Sequence, residues 1–74
     1  MVHKVWFTGL GWVSANEAPT VEQAVQIARR AGFRSAIVAD GKVVATYCPV
    51  DGWRTLDAPV APSQVGARIP YELA

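Results

Sequence analysis

The chain contains a single cysteine, so no disulfide closes within it, and a zinc site would lack its usual ligand set. Histidine and methionine also occur only once each. Charge is scarce and balanced. Seven Lys and Arg against six Asp and Glu leave a formal charge of +1, too little for the long-range field that draws proteins to nucleic acid. No apolar run approaches the roughly 20 residues that cross a bilayer, so no membrane association is expected. The opening MVHKVWF has neither the apolar stretch nor the small-residue cleavage site of a secretory leader. A soluble protein of a reducing cytoplasm is therefore expected. At 74 residues there is room for one core, and a chain this short buries only about 60% of the surface its unfolded form exposes.

What is present is apolar. Hydrophobic residues make up 51% of the chain and charged residues 18%, the composition of a folded domain. The clearest element is a helix from Val21 to Ala31. Thr20 and Gln23 have the spacing of a capping box, Glu22 lies in the first turn, and Arg29 and Arg30 lie in the last, each of favourable sign for the helix dipole. Val21, Ala24, Val25, Ala28 and Ala31 recur at helical spacing, and Gly32 supplies a left-handed stop.

A hairpin follows. Arg34 to Ala39 and Lys42 to Cys48 are β-rich runs joined by Asp40-Gly41, a pair suited to a turn that needs two positive φ angles. A regular two-residue turn would set Val38 against Val43, Ile37 against Val44, Ala36 against Ala45 and Ser35 against Thr46. One face would then carry Ala36, Val38, Val43, Ala45 and Tyr47, flat enough for a helix. The other would carry Phe33, Ile37, Val44 and Cys48 among polar side chains, too apolar to face water alone. Its expected covering is the chain's own tail, a second copy or a target protein.

Val2 to Thr8 reads as a strand, broken by Gly9-Leu10-Gly11 and resumed at Trp12-Val13 beyond a bulge or tight turn, with Ser14 to Pro19 read as a polar turn into the helix. The expected architecture is a single α+β domain of order β-α-β-β over residues 1–56, with one helix on a three-stranded, mainly antiparallel sheet. Trp53 to Leu56 would form a short edge strand or a flap. Residues 57–74 hold Pro59, Pro62, Gly66 and Pro70, which forbid a regular helix through most of the segment, and Val60, Val65, Ile69, Tyr71 and Leu73, which suit an extended arm docked on the domain or swapped.

Few residues offer chemistry. Gly9-Leu10-Gly11 after a strand lacks the third glycine of a dinucleotide loop, Ser14 standing in its place, and Pro19 intervenes before the helix. Cys48 and His3 are a nucleophile and base by type only, with no acid placed to orient the histidine. The carboxylates sit at caps and turns, unpaired for acid–base work. Pro59-Val60-Ala61-Pro62 has the spacing of an SH3 ligand but no arginine on the usual side. No catalytic, cofactor or metal-binding set emerges, and no enzyme is expected. The three tryptophans are the informative excess. Trp12 and Trp53 lie beside glycines in turn-like segments, and exposed Trp next to Arg54 matches the side chains that dominate protein–protein hot spots.

The stretch from Ala28 to Arg54, with Gly32-Phe33, the Asp40-Gly41 hairpin and Pro49-Val50-Asp51-Gly52-Trp53-Arg54, resembles small uncharacterised proteins of phages and other mobile elements. Such families hold regulators and inhibitors of host proteins, anti-CRISPR proteins among them. The resemblance implies a regulator or inhibitor of a host protein, and the expected function is a non-enzymatic inhibitor or adaptor acting by steric occlusion. The expected partner-binding residues are Trp12, Ile37, Val44, Trp53 and Arg54, facing a protein partner or a second copy in a homodimer. The alternative is a small nucleic-acid-binding regulator using Arg29, Arg30 and Arg34 beside the tryptophans. A small-molecule pocket between helix and sheet is disfavoured by the small side chains there.

Overall fold

The computed structural model describes residues 2–65. Its elements are β1 (His3–Phe7), a 3-10 turn (Thr8–Leu10), β2 (Val13–Ala18), α1 (Val21–Ala31), β3 (Ser35–Ala39), β4 (Lys42–Cys48), β5 (Gly52–Val60) and a second 3-10 turn (Pro62–Gln64). The rest of the expected C-terminal arm, with Gly66, Ile69, Pro70, Tyr71 and Leu73, lies outside the described residues.

The helix has the expected bounds. Gln23 donates its backbone N–H to Thr20 Oγ1 at 3.2 Å, and the Gly32 amide closes the far end on the Ala28 carbonyl at 2.9 Å with φ of 77°. Ala24, Val25 and Ala28 are its buried residues. Their small size lets the helix axis approach the sheet closely.

The fold class is α+β, one helix packed on an antiparallel sheet, and the sheet is wider than expected. It has five strands in the order β2-β1-β3-β4-β5, every neighbouring pair antiparallel. Since β2 and β3 are each antiparallel to β1, they run parallel to one another, and α1 is the crossover between them. The two additional strands are the two edges. The strand resumed at Val13 runs on to Ala18, through residues expected as a turn from Ser14, because an edge needs hydrogen bonds along one side only and tolerates polar residues such as Asn16 and Glu17. β5 runs through residue 57 to Val60, across the expected boundary between core and arm, and accommodates Pro59 because it too is an edge.

The hairpin register also differs from the regular one. Asp40 (φ 55°) and Gly41 (φ 77°) form the expected turn, and Val38 pairs Val43, but Ile37 then pairs Ala45 and Ala36 pairs Thr46. Val44 is thus an extra residue, a bulge that turns the following part of β4 over. Ile37 and Ala45 consequently share one face, and Ala36 lies on the other.

Each face carries its own cluster. Under the helix lie Val5, Ala18, Ile37, Ala45 and Tyr47 with Ala24, Val25 and Ala28. The opposite cluster is Trp6, Trp12, Ala36, Val38 and Val43, with Leu56 and Val60 packed against it. Val5, Ile37 and Val43 are the largest fully buried side chains, each contributing about 1.5–3 kcal/mol by burial. β5 supplies the cover for the second cluster. Val43 pairs Val60 while Ala45 pairs Thr55, so the outer strand is longer than the inner one it follows and bends over the face.

The tryptophans show what this closure costs. Trp6 is 3% exposed, and its indole Nε1 has no hydrogen-bond partner, a penalty of about 1–3 kcal/mol. Lys4 Nζ lies 5.1 Å from the ring centroid of Trp6, a cation–π contact that offsets part of it. Trp12 is 5% exposed and has φ of 63°, a left-handed conformation rare for a bulky side chain. Its amide donates to the Phe7 carbonyl at 3.0 Å, which holds the backbone there while the indole joins the core.

Candidate functional site

A cleft of about 820 Å³ opens at one end of the sheet, within the roughly 300–1,000 Å³ range of ligand sites. It is bordered by the β1–β2 connection (Thr8, Gly9, Gly11, Trp12), the start of β3 (Arg34, Ser35), the end of β4 (Thr46 to Cys48) and the start of β5 (Gly52 to Arg54), with Asp51 and Val65. The antiparallel pairing of β4 with β5 explains part of this grouping, since Cys48 pairs Gly52, Tyr47 pairs Trp53 and Thr46 pairs Arg54.

Arg34 is brought in by the backbone. Gly9 donates its amide to the Arg34 carbonyl at 3.1 Å, and Oγ of the buried Ser35 donates to the Phe33 carbonyl at 2.9 Å. Phe33 packs on Phe7 with ring centroids 5.7 Å apart. The chain entering β3 is thereby fixed to the end of β1, and Arg34 and Arg54 line one cleft. Among the described residues neither guanidinium is ion-paired, although Asp51 borders the same cleft.

Cys48 is half-buried beside them. The backbone amide of Asp51, then that of Val50, and more weakly the Arg34 side chain donate to its sulfur and hold the thiol below its ordinary range, against desolvation and the Asp51 charge. His3 is no partner to it. It pairs with Ala18 at the opposite end of β1 from Thr8 and does not border the cleft. Among the described residues no group of three or more His, Cys, Asp or Glu could hold a metal ion, and no helix is long and apolar enough to cross a membrane.

Of the five expected partner-binding residues, Trp53 and Arg54 are exposed, Trp53 by 39%. The other three require correction. Ile37 is fully buried under the helix because the Val44 bulge puts it on the helix side. Val44 is half-buried against the same cluster. Trp12 is core, although it also borders the cleft. Arg29 and Arg30 are exposed at the helix end and do not border the cleft, so the expected arginine trio is divided. That Arg34 and Arg54 line one cleft was missed. Extending the hairpin across the Pro49–Asp51 turn would have set Arg54 beside Thr46, two residues from Cys48 and near the start of β3.

Compared with protein-family models, curated proteins and solved structures, the chain has no significant match.

Proposed function

We propose that this protein is a non-enzymatic binding protein that covers a surface of another protein and blocks it. The observation that carries this reading is the pair Trp53 and Arg54, neighbours on an edge strand and exposed beside a cleft that also holds Arg34. Trp and Arg are the side chains that most often dominate interface energies, because each combines a large contact area with a directed donor. Occlusion requires no catalytic group. It also suits a host-protein inhibitor of the mobile-element kind that residues 28–54 resemble.

The test uses the full chain immobilised in a bacterial host lysate, with and without nuclease, beside Trp53→Ala. A protein retained after nuclease by the wild type and lost by the folded variant supports the reading. Equal retention by both removes Trp53 as an anchor, and a variant that fails to fold assigns Trp53 to the core. A single-stranded nucleic-acid platform is the second reading, favoured by the same grouping of two arginines with an indole. It requires retention that disappears with nuclease and binding that weakens steeply with salt.

A further inference from the structure

We infer that the cleft receives an extended acidic segment of the protein partner, with a carboxylate of that segment on Arg34 and Arg54. This rests on the protein-binding reading above and adds the chemistry of what is bound.

Charge complementarity is the first ground. Among the described residues two guanidiniums border the cleft against the single carboxylate of Asp51, and neither is ion-paired. A guanidinium presents a planar fork that matches a carboxylate, and such charge-assisted pairs are about twice as strong as neutral hydrogen bonds. Thr8 and Thr46 add hydroxyls to the same walls.

The shape of the site supplies the second. Trp53 pairs Tyr47, whose side chain lies on the helix side, while Arg54 pairs Thr46 on the opposite side. Successive strand residues point to opposite faces, so a cleft bordered by both wraps around the start of β5. A flexible extended chain can follow such a path. A compact small molecule would need most of its surface enclosed, about 70–90%, whereas here both side chains stand in solvent. Nucleic acid is disfavoured because a backbone of phosphates calls for a longer basic track, and Arg29 and Arg30 lie away from the cleft.

The experiment is a titration of the isotope-labelled full chain, followed by NMR at the Arg34 and Arg54 Nε–H and the Trp53 Nε1–H signals. The probes are a capped peptide of alternating Glu and Leu, its Gln counterpart, inorganic phosphate and oligothymidylate. The Glu peptide should move all three signals and bind about tenfold or more tightly than the Gln peptide, a difference of ~1.4 kcal/mol. The R34Q/R54Q variant, with its backbone spectrum otherwise retained, should lose that margin. Equal binding of the Glu and Gln peptides, an unaltered margin in R34Q/R54Q, or no response to any probe overturns the inference. So does phosphate acting as strongly as the peptide, which would make this a free-anion site, or a preference for oligothymidylate. If R34Q/R54Q retains a lysate partner as well as the wild type while Trp53→Ala does not, this inference fails and the protein-binding reading stands.

Discussion

The Gly9 amide and the Arg34 carbonyl meet at 3.1 Å, and this bond joins the β1–β2 connection to the entry of β3. It helps to place Arg34 at the cleft and not with the helix end three residues before it. A Cβ at position 9 would touch Arg34 only at ordinary contact distances, the nearest 3.5 Å. Gly9→Ala is therefore expected to be near neutral, whereas Gly9→Pro removes the donor and should cost about 1–3 kcal/mol. Urea denaturation of the two variants checks this. Equal stability would mean the bond contributes nothing.

Trp12 yields an unusual ordering. Truncating a buried indole costs about 3–5 kcal/mol, and Trp12→Ala should fall in that range. Glycine at an ordinary site is less stable than alanine by roughly 0.5–1 kcal/mol, but a left-handed backbone penalises any Cβ by about 1–2 kcal/mol. With φ at 63°, Trp12→Gly should be at least as stable as Trp12→Ala. A glycine variant melting clearly below the alanine one would show that the conformation relaxes once the indole is gone.

The helix and the Asp40-Gly41 turn were legible because their signals are local: a hydroxyl three residues from an amide, a glycine at the stop, and two residues that accept positive φ. The edge strands were legible only in part, Trp53 to Leu56 as a short edge and Val13 as a resumed strand, but not their full extent. Their formation depends on a neighbour's free hydrogen bonds, and VSANEA carries little strand propensity of its own. The Val44 bulge was equally hidden, since a one-residue insertion leaves the alternation of β4 intact while exchanging its faces. Trp53 and Arg54 could be read as a surface pair from their place after a turn. Arg34 was grouped with Arg29 and Arg30 by proximity in the chain, and the long-range contacts of the β3 entry, the Gly9 bond and the Phe33–Phe7 packing, place it elsewhere.

The N-cap offers a direct measure of how much the helix matters to the whole. Thr20→Ala removes the acceptor for the Gln23 amide and should lower stability by about 0.5–2 kcal/mol in chemical denaturation. Thr20→Asp keeps an acceptor and should recover most of the loss.

Cys48 should alkylate with a pH midpoint below that of an unstructured cysteine. The cause lies chiefly in the backbone amides of Asp51 and Val50, so unfolding in urea should raise the midpoint more than Arg34→Gln does. The sign for stability follows. A thiol lowered in the folded state adds stability in full above its unfolded value of about 8.5 and loses that contribution as pH falls through the folded value. Iodoacetamide rates across pH, native and denatured, provide the measurement. A native midpoint at or above the denatured one would remove the amide effect.

The bend of β5 imposes an order on assembly. Every strand and helix residue of the cluster beneath α1 has been synthesised once Tyr47 is made, whereas the cluster around Trp6 and Trp12 gains Leu56 and Val60 only later. A nascent chain can thus close its helical side while the other is still bare, leaving two indoles exposed until the last strand arrives. During that interval the molecule is most vulnerable to aggregation, and a chaperone that shields aromatic surface would act on this face first.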